Sequence, residues 1–147
     1  MKYYTIGIYF DTTLNNVALI LKNRPDWQKG RYNAMGGHIE KDELPIDCVI
    51  REFGEECGID TNKQDWHHIG CINNENSYKV EVFTAIQKES HGHTQTLTDE
   101  EVCWFDVNRL PENIISNLKW LIPYALNYWK QETEEKLVFS VFNYKNS

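Results

Sequence analysis

Short segments of β-branched and aromatic residues alternate with polar turns through the first two-thirds of the chain. Residues 3–10 and 17–22 have this pattern, and the polar residues between them favour a turn, so the two segments are predicted to form a hairpin. Residues 31–34 form a short extended piece that ends at a predicted turn, Gly36-Gly37. Further strands are predicted at 66–72, 78–86, 102–105 and 137–144.

Two segments have helical periodicity instead. Between Leu44 and Cys57 the apolar residues recur at helical spacing, and Pro45 falls in the first turn, where its missing N–H costs nothing. Gly58 follows as a predicted C-cap. A second helix is predicted over residues 118–131. Strands and two long helices without regular β–α–β alternation predict an α+β sandwich.

Length and charge limit the classes of protein that fit. A chain of 147 residues predicts one domain, residues 1–147. We expect a cytoplasmic protein with no membrane partner, because the sequence lacks a signal peptide and an apolar run of roughly 18 residues. The net charge of −7 argues against binding duplex nucleic acid, which requires clustered Lys and Arg. A small phosphorylated substrate stays open, since a bound metal can offset its charge.

The first predicted helix also carries an acidic face. Glu52, Glu55 and Glu56 fall beside its apolar stripe, with Glu52 and Glu56 one turn apart. Like charges at that spacing destabilise a helix unless a cation lies between them. Three carboxylates suit Mg²⁺ or Mn²⁺, and the Gly36-Gly37 turn can bring a backbone carbonyl to the same ion. The residue types alone also fit an ordinary solvated acidic face.

The spacing within residues 37–59 matches a known motif. It reads Gly-x5-Glu-x7-Arg-Glu-aliphatic-x-Glu-Glu-x-Gly-aliphatic, with Phe53 at the first bulky apolar position. In this motif, the Nudix box, the sequence resembles the Nudix hydrolases, and its MutT-type members in particular. The resemblance implies a Nudix-type α/β/α sandwich with a mixed β-sheet between helices. It also implies an enzyme that hydrolyses phosphoanhydride bonds.

The resemblance assigns roles to the matching residues. It implies that four of them hold Mg²⁺, or Mn²⁺ in its place: the Gly37 carbonyl and the carboxylates of Glu52, Glu55 and Glu56. Arg51 is expected to orient these catalytic glutamates, and Glu43 to pair structurally between loop and helix. Bound metal ions hold the phosphates and lower the pKa of water.

The general base is open among three glutamates. Relatives use either a glutamate of the box or a later one, and Glu52 is our first choice. Glu100 or Glu101, in the loop before the predicted strand at Trp104, is the alternative.

Residues outside the box bear on the substrate. Residues 23–37 resemble the MutT-type segment in which the Asn before the glycines contacts the nucleobase, a position that Asn33 matches. An amide can donate to and accept from a purine edge, although Asn33 is equally typical of a turn. Asn117 and Trp120 lie where oxidised-purine nucleoside triphosphatases grip the base with an acidic residue and an aromatic one. Asn117 departs from that pattern, and Trp120 also fits a core position.

The expected function is Mg²⁺-dependent hydrolysis of a nucleoside diphosphate linked to another moiety, with a small-molecule nucleotide as the partner. A (deoxy)nucleoside triphosphate cleaved to the monophosphate and pyrophosphate is our first hypothesis. ADP-ribose or a dinucleoside polyphosphate is an alternative substrate, and a non-catalytic nucleotide-sensing module is an alternative function. A homodimer stays open. His91 and His93, in a polar loop, are predicted to be surface residues.

Overall fold

The structure is a computed structural model that describes residues 1–131 and the backbone of residues 137–140. Its strands are β1 (Lys2–Phe10), β2 (Asn16–Leu21), β3 (Tyr32–Asn33), β4 (Met35–His38), β5 (His67–Asn74), β6 (Tyr78–Ile86), β7 (Val102–Asp106) and β8 (Leu137–Ser140). Its helices are α1 (Pro45–Cys57) and α2 (Leu118–Gln131), with 3-10 turns at Lys63–Asp65 and Glu89–His91. Residues 141–144 of the last predicted strand lie outside the described residues.

All eight strands join one mixed sheet with β1 near its centre. β1 runs parallel to β6 over its whole length, from Lys2 opposite Tyr78 to Phe10 opposite Ile86. On its other side β1 pairs antiparallel with β4 and, beyond that, with β2. β7 and β3 extend the sheet from β2, while β5 and β8 extend it from β6.

The predicted turn at Gly36-Gly37 is wrong, because both glycines belong to β4. Gly36 lies opposite Ile6 and Gly37 opposite Thr5 on β1. The reason is a close approach of the two backbones: a Cβ atom at position 36 would stand 2.0 Å from the Thr5 carbonyl oxygen. A Gly pair therefore permits a strand here where the sequence pattern favours a turn.

One helix covers each face of the sheet, which confirms the α/β/α sandwich. α1 buries Val49, Phe53 and Cys57 in a cluster with Tyr9 and Trp66. α2 buries its own apolar residues against the opposite face, namely Leu118, Leu121, Ile122 and Ala125. No helix among the described residues is both long and apolar enough to cross a membrane.

The ends of α1 follow the sequence prediction. Leu44 precedes the helix in an extended conformation and Pro45 occupies its first position. Gly58 adopts a φ of +78° and donates its N–H to the Gly54 carbonyl at 2.9 Å, which ends the helix in the left-handed conformation that favours glycine. The helix between these ends has 13 residues, more than three turns, and the acidic face occupies its last turn and a half.

The predicted surface position of His91 is wrong. This side chain is only 8% exposed. Its Nδ1 lies 2.7 Å from the Tyr9 hydroxyl and its Nε2 lies 3.1 Å from Asp65 Oδ2, and Lys88 pairs with the same carboxylate. His93 is exposed, as predicted. A polar loop composition conceals His91 because its partners come from β1 and from the turn at Lys63–Asp65.

Candidate functional site

The acidic face of α1 lies against strand β4. The Gly36 N–H donates to Glu56 Oε1 at 3.0 Å. Beside it, Gly37 lies so close to Glu52 that a Cβ atom at position 37 would stand 2.6 Å from the Glu52 carboxyl carbon. Glu55, one residue before Glu56, is exposed. Gly36 and Gly37, which let β4 approach β1, thus also contact the carboxylates of Glu56 and Glu52.

Arg51 connects the remaining carboxylates of this face. Its Nε and Nη2 donate to the two oxygens of Glu43 at 2.8 and 2.9 Å, the pairing expected of Glu43. These hydrogen bonds lower the pKa of Glu43 to about 2. The Arg51 Nη1 donates to Glu52 Oε1 at 3.0 Å and to Glu55 Oε2 at 3.3 Å. One guanidinium therefore fixes the positions of three glutamates.

Burial affects the ionisation of Glu56 and Glu52, the two glutamates that lie beside the glycines of β4. Glu56 is 8% exposed, and burial raises its pKa to about 8. Burial also raises the pKa of Glu52. Glu56 Oε2 is buried and has no hydrogen-bond partner among the residues that the structure describes. A buried carboxylate oxygen without a donor is costly unless a cation compensates it.

The oxygen atoms of these residues are of the type that binds a divalent metal ion. The carboxylates of Glu52, Glu55 and Glu56 and the Gly37 carbonyl are hard oxygen donors of the type that Mg²⁺ prefers, and no described residue bonds Glu56 Oε2. Within the described part of the chain, no three His, Cys, Asp or Glu side chains already stand close enough together to hold an ion. Glu52 and Glu55 are instead held by Arg51. Metal binding therefore requires rotation of carboxylates along the same helix face.

A cleft of about 800 Å³ begins at the β4 glycines and crosses the sheet. Tyr4 and Ile6 of β1 and Val80 of β6 line its middle. Asn74, Ser77 and Lys2 line its far end. Three further residues come from the loop that precedes β3, namely Pro25, Trp27 and Gln28. Polar groups thus lie at both ends of a partly apolar cleft, a composition typical of ligand sites.

Two of the three predicted base contacts line this cleft. Asn33 donates to Gln28 Oε1 at 3.0 Å and accepts from the Ala34 N–H at 2.8 Å, which leaves one N–H and one lone pair on its amide. Asn117, at the start of α2, is partly buried and faces the same space.

The structure does not place Trp120 among the residues that line the cleft. It lies in the first turn of α2 and is 39% exposed. The tryptophan that lines the cleft is instead Trp27, which is 64% exposed, and Tyr4 and Tyr78 line it as well. The sequence analysis missed Trp27, although its position six residues before Asn33 in the same loop is a signal that was available.

The two candidate later bases differ in their surroundings. Glu100 is buried, with its oxygens bonded to Lys22 Nζ at 3.0 Å and the Asn23 N–H at 2.6 Å. Burial alone would raise the pKa of Glu100, but these hydrogen bonds outweigh it and the pKa is lowered. Glu101 is exposed and accepts a hydrogen bond from the Cys103 thiol at 3.0 Å.

A comparison of the sequence with known families matches residues 5–124 to the NUDIX domain. The chain belongs to the NUDIX family. This confirms the resemblance of the box and makes residues 5–124 a Nudix domain.

Curated proteins similar to this Nudix domain include an mRNA hydrolase. The m7GpppN-mRNA hydrolase of Saccharomyces cerevisiae is 27% identical over 118 residues, which cover 77% of this chain. The chain spans about 12% of the length of the curated relatives that it matches.

Solved structures share the fold of this Nudix domain. The mMutator MutT protein of Bacillus halodurans has a TM-score of 0.71 at 21% identity, covering 97% of this chain and 90% of that one. A NUDIX hydrolase of Nitrosomonas europaea has a TM-score of 0.74 at 14% identity, covering 97% and 79%. The MutT-type fold expected from the sequence is therefore confirmed.

Proposed function

We propose that this Nudix domain hydrolyses a (deoxy)nucleoside triphosphate to the monophosphate and pyrophosphate, with Mg²⁺ as cofactor and Mn²⁺ as an alternative ion. One observation carries the proposal: Gly36 and Gly37 border both the α1 carboxylates and the cleft that leads to Asn117. Phosphates at the carboxylates and a base near Asn117 would then belong to one bound molecule.

The phosphate end of the cleft supplies the catalytic groups. Glu52, Glu55, Glu56 and the Gly37 carbonyl would hold the metal. When bound, Mg²⁺ neutralises phosphate charge and lowers the pKa of a bound water. Before metal binds, Arg51 holds Glu52 and Glu55 on this helix face through its hydrogen bonds.

Glu52 is the proposed general base. Burial raises its pKa toward the working pH, which is the direction that favours proton transfer. Water attacks phosphorus, its proton passes to Glu52, and the anhydride P–O bond to the leaving group breaks.

The base end of the cleft would read the nucleotide through amides. Asn117 lines this end, and its side chain makes no hydrogen bond to the described residues. Asn33 keeps one donor and one acceptor after its bonds to Gln28 and Ala34. Trp27 offers an aromatic face at the same cleft. Stacking by Trp120 has no support from the cleft lining.

A second class of substrate is favoured by the size of the cleft. Its volume of about 800 Å³ lies in the upper part of the range for small-molecule sites, and polar residues continue to Lys2 and Asn74. A dinucleoside polyphosphate or ADP-ribose would extend along this end. We do not extend the likeness to an mRNA hydrolase to long RNA, because a net charge of −7 argues against a cationic track for a phosphate backbone.

A hydrolysis panel tests the proposal. The full chain is assayed in Mg²⁺ with the eight common nucleoside and deoxynucleoside triphosphates, oxidised purine triphosphates, ADP-ribose, dinucleoside polyphosphates and a cap dinucleotide, and the products are identified. Preferred release of pyrophosphate from a triphosphate supports the proposal. Preference for a dinucleotide or ADP-ribose replaces it with the second class. Absence of turnover on every compound would return the non-catalytic nucleotide-sensing module, despite retention of Glu52, Glu55 and Glu56.

A further inference from the structure

Glu100 is enclosed by the start of the loop that forms one wall of the cleft. It is 7% exposed, and each of its carboxylate oxygens is already engaged. Oε1 accepts from Lys22 Nζ at 3.0 Å and Oε2 accepts from the Asn23 N–H at 2.6 Å. The neighbouring Asp99 adds a second connection, since its carbonyl accepts from Asn23 Nδ2 at 2.5 Å and its carboxylate pairs with Arg24.

The loop that begins there is closed on itself. We call residues 23–30 the wall loop. The Gly30 N–H donates to the Lys22 carbonyl at 2.8 Å, and the Lys22 N–H donates to the Arg31 carbonyl at 2.9 Å, so both ends of the loop are joined. The Gln28 and Lys29 N–H groups donate to the Pro25 carbonyl within the loop. Few other contacts hold the wall loop, because most of its residues are exposed.

The wall loop delivers side chains to the cleft. Pro25, Trp27 and Gln28 all line it, and Gln28 Oε1 accepts the hydrogen bond that orients the Asn33 amide. A continuous series of contacts thus runs from the Glu100 carboxylate through the Asn23 backbone to a proposed base-reading residue. Movement of the start of the wall loop would displace both Trp27 and Gln28, the partner of Asn33.

We propose that Glu100 is a positioning residue that fixes the wall loop against the cleft, and that it does not accept the proton of the attacking water. Two donors occupy its two oxygens, and an ammonium ion is one of them. To act as a base, the buried Glu100 would have to release one of these charge-assisted hydrogen bonds. Glu100 therefore affects the binding of the nucleotide and not the transfer of the proton.

The test compares Glu100→Ala and Glu100→Gln with the wild type by amide hydrogen exchange and by steady-state kinetics. The exchange measurement follows the Asn23, Gln28, Lys29 and Gly30 amides without substrate. In Glu100→Ala we expect these amides to exchange at least tenfold faster. Glu100→Gln should fall between, because a Gln oxygen still accepts from Asn23 while its NH₂ group faces the Lys22 ammonium.

The kinetic measurement separates positioning from proton transfer. We expect KM to rise about tenfold or more in Glu100→Ala, with kcat within about fivefold of the wild type and with the limb of the pH profile that belongs to the general base retained. A general base would lower kcat by about 10² or more in both variants with KM nearly unchanged, and its limb of the pH profile would disappear. That result, or wild-type exchange of the wall loop in Glu100→Ala, overturns the proposal.

Asp99→Asn is the matched control. It removes the charge of the adjacent, exposed partner of Arg24 but keeps the Asp99 carbonyl that holds Asn23. Exposed ion pairs contribute little, so exchange of the wall loop should change less than threefold.

The kinetic measurement rests on the proposed function, whereas the exchange measurement does not. If the wild type hydrolyses nothing, the exchange result still decides the role of Glu100, and Glu100→Gln replaces Glu100→Ala if the latter fails to fold.

Discussion

The Gly37 backbone lies within contact distance of the Glu52 carboxylate, so that a Cβ atom at position 37 would stand 2.6 Å from the carboxyl carbon and from Oε1. Gly37 comes from β4 and Glu52 from α1, the helix packed against that strand. A side chain at position 37 therefore has no room unless the Glu52 carboxylate moves.

Gly37→Ala is therefore expected to abolish activity with little effect on folding. The methyl group displaces the flexible end of Glu52, and this displacement separates a proposed ligand and base from the Gly37 carbonyl. We expect kcat/KM to fall about 10²-fold or more and the Mg²⁺ concentration for half-maximal rate to rise, while the melting temperature changes by a few degrees.

Gly54→Ala serves as the control for that substitution. Gly54 lies in α1, and the nearest atom to its added Cβ would be the Ile59 carbonyl oxygen at an ordinary 3.6 Å. Alanine in a helix interior is favoured over glycine by roughly 0.5–1 kcal/mol, so this variant should be more stable and fully active. Loss of activity in both variants would contradict the assignment of Gly37.

Glu56→Gln should stabilise the metal-free protein above neutral pH while lowering turnover by several orders of magnitude. The pKa of Glu56 is raised from its ordinary value near 4.3 to about 8, so the folded state binds the extra proton between these values. Its stability therefore falls as pH rises through that window, and Gln does not ionise. We expect roughly 1–3 kcal/mol in favour of the variant at pH 9.

Urea unfolding in EDTA at pH 5 and pH 9 checks this expectation. The difference between the variant and the wild type should be small at pH 5 and grow toward pH 9. Added Mg²⁺ should stabilise the wild type more than the variant. Parallel pH dependences for the two proteins would show that Glu56 is ionised in the folded state.

Asp65→Asn should destabilise the fold by about 2 kcal/mol at pH 7. Burial alone would raise the pKa of Asp65, but hydrogen bonds from the Asn62 N–H, Lys88 and His91 outweigh it and lower the pKa to about 2. A lowered carboxyl pKa contributes stability that is fully present above the unfolded value near 3.9 and is lost as pH falls toward 2. The advantage of the wild type should shrink over that interval.

Urea unfolding between pH 7 and pH 2.5 measures this change, with Asp47→Asn as the comparison. Asp47 pairs with Lys63 at 3.7 Å on the surface, where such pairs contribute about 0–1 kcal/mol. An equal, pH-independent loss in both variants would show that Asp65 is not specially stabilised in its ionised form.

Asn117→Ala should raise KM about tenfold for the preferred nucleotide, because a hydrogen bond to the base contributes about 1 kcal/mol or slightly more. Asn117→Asp supplies the carboxylate that oxidised-purine nucleoside triphosphatases use near this helix, and it should change the ratio of kcat/KM for oxidised and normal purines at least tenfold. Lys119→Ala, exposed and outside the cleft lining, is the control. Unchanged selectivity in Asn117→Asp would place the base elsewhere.

Local patterns account for most of what the sequence predicted correctly. The apolar stripe of α1, Pro45 at its start and Gly58 after it are signals contained within one short segment, and the fixed spacing of the box identified the acidic face. The strand at Gly36-Gly37 could not be predicted, because its cause is the backbone of β1 some thirty residues away. Burial of His91 depends on Tyr9 and Asp65, which lie 82 and 26 residues away along the chain.

The cleft was harder to predict than the carboxylate face for the same reason. Its lining combines strands β1 and β6, the wall loop and the start of α2, and no spacing within one segment reports on such a combination. Asn33 and Asn117 were found through resemblance to relatives. Trp27 has the residue type of a stacking group, but only the closed shape of the wall loop brings it to the cleft.

The parallel pairing of β1 with β6 also sets the order in which the chain can fold. Lys2 and Tyr78 begin this pairing, so the central ladder of the sheet requires closure of a long loop and must form late and slowly. During synthesis α1 emerges well before β6. The apolar stripe of Val49 and Phe53 therefore lacks its complete binding surface until the second half of the chain arrives, which makes the interval between the two the stage at which the nascent protein is most exposed to aggregation.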